Sequence, residues 1–143
     1  MNGDLIINGK DAWTTWGVRM GEDFLNVIDG FNEMKDYIED ESRLEHGKRM
    51  IAENAKVASR EISLQFTIEG SSESDFRTKK KSFQKELERG SVNLKIPTLG
   101  NEVYKLVYLG KSLSYALSTD RCFCKISSKF EEPNPSAEGR MED

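Results

Sequence analysis

The chain has 143 residues, 36% of them apolar and 32% charged, with a formal net charge of −4. That is the length of one domain, able to bury about two-thirds of its unfolded surface in a single core. The acidic balance argues against a general nucleic-acid binder, and no apolar run approaches the roughly 20 residues of a membrane-spanning helix. Met1-Asn2-Gly3-Asp4 carries neither the basic start nor the apolar block of a secretory leader, so synthesis and folding in the cytosol are expected.

Taken in order, Leu5-Ile6-Ile7 is a short apolar strand running into the Asn8-Gly9 turn signal. Trp13, Trp16, Val18 and Met20 suggest a second strand, with Gly17 allowing a bulge or a close backbone approach. The first twenty residues therefore predict a hairpin that belongs to the core, with both tryptophans as core or interface aromatics. Between Glu22 and Asp29 the pattern is ambiguous: Phe24, Leu25 and Ile28 have helical spacing in a short segment closed by Gly30. Met34 to Ile38 reads as extended, followed by the acidic Glu39-Asp40-Glu41. Ser42 to Ile51 reads as a hairpin with its tip near Glu45-His46-Gly47, where Gly47 supplies a positive φ. Ala52 to Ala58 is a polar connection.

The clearest pattern spans Ser59 to Pro97. Ile62, Leu64, Phe66 and Ile68 alternate with Glu61, Ser63, Gln65, Thr67 and Glu69, the period of a strand with one buried face. Gly70 breaks it, and Ser72 with Asp75 three residues on is a helix N-cap signal with acid at the positive end of the dipole. Phe76, Phe83 and Leu87 then form one apolar stripe, with Lys79, Lys80, Lys81 and Lys85 mostly off it, and Gly90 is the C-terminal stop. Val92, Leu94 and Ile96 alternate again until Pro97 ends the strand.

Beyond a turn at Gly100-Asn101, Val103 to Leu109 predicts a strand buried on much of both faces. Gly110-Lys111 predicts another turn, Leu113, Tyr115 and Leu117 a further strand, and Thr119-Asp120 a last turn. Cys122, Cys124, Ile126 and Phe130 then share one face of the final strand. On a strand the two cysteines sit about 6–7 Å apart, too far for an unstrained disulfide, so they read as small buried hydrophobes. Two thiols alone are also short of the four ligands of a structural zinc. Pro133, Pro135 and the polar residues 136–143 read as a frayed end. Short strands joined by tight turns indicate a mainly β, antiparallel sandwich or barrel with one flanking amphipathic helix, as a single domain over residues 1–135.

Signals for chemistry are sparse. His46, the one histidine, sits in a proposed turn among charges without a serine or cysteine motif to serve. Asp36, Glu39, Asp40, Glu41 and Glu45 crowd one region, but lack calcium-loop spacing and read as a solvated acidic edge. There is no phosphate-cradling glycine loop or dinucleotide fingerprint. No catalytic, cofactor or metal site is expected, and the chain reads as a non-enzyme.

Several residues taken together point to a family. Asn8-Gly9 followed by Trp16-Gly17-Val18, the glycine-and-basic segment Gly47-Lys48-Arg49, and the strand Arg60 to Ile68 leading into a lysine-rich helix resemble bacteriophage distal tail proteins. Tyr104-Lys105-Leu106-Val107-Tyr108 and the ending Phe130 to Pro135 resemble that family's last strands, so the likeness spans Leu5 to Pro135. It implies a tail-tube type of β fold and a structural, baseplate or distal-tail component of a phage or prophage-derived virion tail, made in the host cytoplasm. It implies self-assembly into rings, commonly hexamers, contact with other tail and baseplate proteins, and a channel for DNA or an effector. DNA would pass such a channel without sequence-specific binding, and an acidic wall would keep it from sticking by like-charge repulsion. Fuller family members continue into a second, galectin-like domain, which this chain is expected to lack. The alternative is a small binding module for carbohydrate or peptide, with Trp13 and Trp16 as stacking residues.

One stretch stands out as an assembly contact. The hairpin between Met34 and Ile51 carries Glu39, Asp40 and Glu41 close to Arg43, Lys48 and Arg49, and little apolar surface of its own. Such an arm gains stability by packing on a neighbour, whose opposite charges would set the register of a ring; the alternative is a surface loop.

Overall fold

The structure is a computed structural model that describes residues 3–32, 34–35, 38–40, 49–51 and 56–141. Strands β1 (Ile6–Ile7) and β2 (Lys10–Asp11) pair antiparallel across Asn8-Gly9, both in the left-handed region at φ 51° and 80°, the geometry of a type I′ hairpin turn. The expected second strand does not start at Trp13. Asp11 accepts a hydrogen bond from the Thr14 amide at 2.9 Å and caps a short helix α1 (Ala12–Trp16), which Gly17 ends at φ 65° before β3 (Val18–Met20). An N-cap and a C-terminal glycine six residues apart outweigh the aromatic content that suggested a strand. Helix α2 (Phe24–Ile28) resolves the ambiguous segment, and buries Phe24 and Ile28.

Of the predicted extended segment from Met34 to Ile38, Met34 makes an isolated bridge to Val57 and Ile38 opens strand β4 (Ile38–Asp40), while Asp36 and Tyr37 lie outside the described residues. Strand β4 pairs with β5 (Arg49–Ile51) as a separate two-stranded arm. The hairpin tip at Glu45-His46-Gly47 lies outside the described residues, as do Asp36 and most of the connection 52–58.

The remaining elements are β6 (Arg60–Glu69), α3 (Glu73–Glu88), β7 (Ser91–Lys95), β8 (Val103–Leu117) and β9 (Phe123–Glu132). Seven strands form one antiparallel sheet in the order β2-β1-β7-β8-β9-β6-β3, an open half-barrel that α3 flanks. Mainly β, antiparallel and with one long amphipathic helix, this is the fold class the alternation predicts. Ser72 caps α3 through its hydroxyl, which accepts from the Asp75 amide at 3.1 Å, while Asp75 reaches back to the Ser71 amide at 2.9 Å. Ile62, Leu64, Phe66 and Ile68 point inward from β6 and meet Phe76, Phe83 and Leu87 of α3. The Phe66 ring is the centre of this core, edge-on to Phe24, Phe83 and Phe130 at 5.2, 5.4 and 6.0 Å.

Three further expectations change. Gly110-Lys111 is not a turn between two strands: β8 runs through it, with Gly110 at φ 71° and the register to β9 shifting between Tyr108 and Ser114. A glycine inside a strand pattern here marks a bulge, which bends β8 without reversing it. Nor is the first half of β8 buried on both faces, since Tyr104 and Leu106 are buried while Val107 is 41% exposed. The polar end read as frayed is held down as far as Arg140, whose carbonyl accepts from the Val103 amide at 2.8 Å.

Candidate functional site

The residues proposed as assembly contacts lie on the arm. The register pairs Ile38 with Ile51, Glu39 with Met50 and Asp40 with Arg49, so Asp40 and Arg49 are the one oppositely charged pair among the described residues of the arm. Glu41, Arg43 and Lys48 lie outside the described residues.

A second candidate, which the sequence reading missed, is the open side of the sheet. β7 covers β8 only from Val103 to Val107, and beyond that Gly90 accepts from the Tyr108 amide at 2.8 Å. From Leu109 to Leu117 the only strand beside β8 among the described residues is β9. This half of β8 therefore presents a sheet edge nine residues long. Its core-facing residues are only partly covered, with Tyr115 45% and Leu117 38% exposed. Between this edge and α3 lies a groove of about 210 Å³, walled by Phe83, Leu87, Tyr108, Tyr115 and Ile126 and floored by Cys124. The Lys80 ammonium stands 5.3 Å over the Tyr115 ring, and burial pushes the Tyr115 hydroxyl pKa up.

At the opposite side of the same sheet end, β3 has a strand neighbour on one side only among the described residues. The registers align in rows: Val18, Ile68, Cys124 and Leu117 form one, and Met20, Phe66, Ile126 and Tyr115 the next. At this end the sheet is thus four strands wide, β8-β9-β6-β3, with an open edge on each side.

This architecture has a counterpart among solved structures. The crystal structure of SPP1 Dit (gp 19.1), described as a paradigm of the hub adsorption apparatus in phages infecting Gram-positive bacteria, superposes with a TM-score of 0.55 at 14% identity. The fold is of the phage-tail type. The match covers 92% of this chain and 50% of that one, so the chain spans about half the length of its structural neighbour. No family model and no curated protein matches the sequence.

The tail-type fold also places the residues of the competing readings. Trp16 is 1% exposed, 5.7 Å from the Phe83 ring, and donates its indole N–H to the Ser82 hydroxyl at 3.1 Å. Trp13 is half-buried with the Arg19 guanidinium 5.3 Å over its ring. A buried Trp16 cannot stack on a sugar, so the pair does not form the binding platform considered from the sequence. Cys122 and Cys124 are both free, but only Cys124 is on the strand and buried; Cys122 sits in the preceding turn, half-exposed. Among the described residues no three His, Cys, Asp or Glu side chains gather as a metal site. His46 lies outside the described residues.

Two buried carboxylates were also missed. Glu86 of α3 accepts from Lys10 Nζ at 2.9 Å, Asn8 Nδ2 at 3.1 Å and Arg89 Nη1 at 3.0 Å, which ties the β1–β2 hairpin to the helix. The Lys10 hydrogen bond, with those of Asn8 and the nearby Arg89 charge, holds its pKa below the usual carboxylate range against desolvation. Glu132, at the end of β9, is fully buried between Arg60 and Arg140. Burial pushes its pKa up, but hydrogen bonds and charge from the two arginines outweigh that and hold it low. The signal was present in the alternation: Arg60 is in phase with Ile62, and Glu132 with Phe130, so both fall on the inward face.

Proposed function

We propose that this chain is a structural, ring-forming component of a phage or prophage-derived tail, of the distal-tail or hub kind, and not an enzyme. The observation that carries the reading is the four-strand end of the sheet with an open edge on either side. Three antiparallel steps separate β8 from β3, so the two edge strands run in opposite directions. A neighbouring copy placed alongside therefore presents its β3 antiparallel to the open half of β8. The contact uses two different surfaces, and head-to-tail contacts of that type close into a ring when the rotation from one copy to the next divides the full turn. Pairing would cover Tyr115 and Leu117, two of the apolar residues that the lone chain leaves exposed.

The rest of the proposal follows the resemblance to distal tail proteins. The ring has six copies, residues 1–135 form its single tail-protein-like unit, and the ring contacts other tail and baseplate proteins within the virion. DNA or an effector crosses its channel without sequence-specific recognition. The arm bearing Glu39, Asp40, Glu41, Arg43, Lys48 and Arg49 adds a charge-matched contact between neighbours. Like the hub protein that it resembles in fold, the chain would serve an adsorption apparatus.

Light scattering over a concentration series tests this. The native chain should gain mass with concentration, and the double variant Tyr115→Glu, Leu117→Glu should remain a folded monomer by circular dichroism. A native chain that stays monomeric at high concentration, or a variant that assembles as well as the native chain, overturns the proposal.

A further inference from the structure

The groove between α3 and the open half of β8 is matched by what stands at the other edge of the sheet. Helices α2 and α3 lie on the same face, because Phe66 of β6 meets Phe24 of α2 at 5.2 Å and Phe83 of α3 at 5.4 Å. The corner between β3 and α2 is pinned, the Gly21 amide donating to the Gln65 carbonyl at 2.7 Å and the Glu22 amide to Gln65 Oε1 at 2.9 Å. It holds Leu25, 41% exposed, near the half-buried Met20 and the exposed Asp23, all three lining one shallow hollow. At the β8 edge the shapes and charges are inverted. The groove there, about 210 Å³, has room for a side chain, where a single water takes about 30 Å³. Among the described residues that wall it, Lys80 is the one charged side chain. One edge carries an apolar knob beside an acid, and the other an apolar hole beside a base.

We propose that Leu25 of each copy enters the groove of the next copy, and that Asp23 pairs there with Lys80. This rests on the pairing of β3 with the open half of β8, and names the side chains that close that contact. Met20 and Tyr115 stand in one row of the sheet, and Val18 and Leu117 in the next. A neighbour set alongside at the same height continues each row, so its Met20 stands beside Tyr115. Its α2 then lies on the face where α3 walls the groove, and the direction of its β3 carries α2 from Tyr115 toward Tyr108. Leu25 leaves water, and the groove walls at Phe83, Leu87 and Ile126 gain atoms to touch. The Lys80 ammonium already rests over the Tyr115 ring, so little side-chain freedom is lost when Asp23 arrives.

Sedimentation of the full chain over a concentration series tests the contact. Leu25→Ser should weaken assembly about ten-fold and remain folded by circular dichroism. Asp23→Asn, which suits the left-handed φ of 57°, and Lys80→Gln should each weaken it about three-fold. The double variant should be no weaker than either single one, because each loss removes the same pair. Val107→Ser, equally exposed but on the part of β8 that β7 covers, is the control and should assemble like the native chain. A native chain that never gains mass overturns the edge pairing and this contact with it. If the native chain assembles, Tyr115→Glu with Leu117→Glu prevents it, and Leu25→Ser has no effect, the edges pair but the groove takes another occupant, and the proposal fails alone. Additive losses from Asp23→Asn and Lys80→Gln, or a loss from Val107→Ser equal to that from Leu25→Ser, also overturn it.

Discussion

Gly17 and Glu69 touch backbone to backbone. The Glu69 amide donates to the Gly17 carbonyl at 3.0 Å where α1 turns into β3, and a Cβ built on Gly17 would collide with the Glu69 carbonyl oxygen. Gly17 also stands at φ 65°, in the left-handed region that costs other residues energy. Space and backbone conformation both demand glycine here. This contact seats α1, and with it Trp16, over the core.

Gly17→Ala should therefore destabilise the fold by about 1–3 kcal/mol, from strain plus displacement of β3 from β6. Gly9 gives the contrast, because its φ is 80° but nothing lies within 4 Å of its would-be Cβ. Gly9→Ala should cost about 1 kcal/mol, the conformational part alone. Urea unfolding midpoints of the two variants decide it, and equal losses would show that the close approach to Glu69 carries no weight.

What the sequence made legible was what repeats with a period. The alternation from Arg60 to Glu69 and the Phe76, Phe83, Leu87 stripe fixed β6, α3 and their shared core, because burial of one face selects those spacings. The N-cap at Ser72 and the stop at Gly90 were legible from residue type. Illegible were features that depend on which strand lies beside which. A turn signal at Gly110 and a bulge at Gly110 look alike until the register to β9 is known. The open edge of β8 follows from β7 being ten residues shorter, which matters only once the two are neighbours. Arg60 and Glu132 become a pair only through the β6–β9 register, although each already stood in phase with the core. Trp16 was correctly a core aromatic but on the wrong element, since Asp11 capped a helix where β propensity suggested a strand.

Acid should unfold the chain in part through Glu132. Its folded pKa lies below the unfolded value of about 4.3, so protonation favours the unfolded chain and the stabilisation is present above that pH. It is lost as pH falls from about 4.3 through the lower folded value. Glu86, Asp11 and Asp75 are shifted in the same direction and add to the acid limb, so a comparison isolates the group. Glu132→Gln should be less stable at neutral pH, because Arg60 and Arg140 lose their shared counter-charge inside the protein. The gap to the native chain should narrow below about pH 4.3. Urea midpoints measured from pH 7 to 3 test this. A gap that stays constant with pH would mean that Glu132 does not titrate with folding.

The two thiols should react as two distinct classes. Cys124 is fully buried at the floor of the groove, and burial pushes its pKa up, so it offers neither access nor thiolate. Cys122 is half-exposed in the turn before β9, with its Sγ 3.4 Å from the Asp120 carbonyl. Desolvation and the nearby Asp120 and Glu73 carboxylates raise its pKa, so it is reachable but poorly ionised at neutral pH. In the folded chain a thiol reagent should label Cys122 alone, at a rate that climbs with pH as the thiolate forms, and Cys124 only after denaturant opens the core. Cys122→Ser should abolish the native-state reaction and leave the denatured-state one. Assembly through the β8 edge would bury the groove above Cys124 further and leave Cys122 to report on the turn. Two thiols labelled at one rate in the native protein would show that α3 does not close over β9 as described.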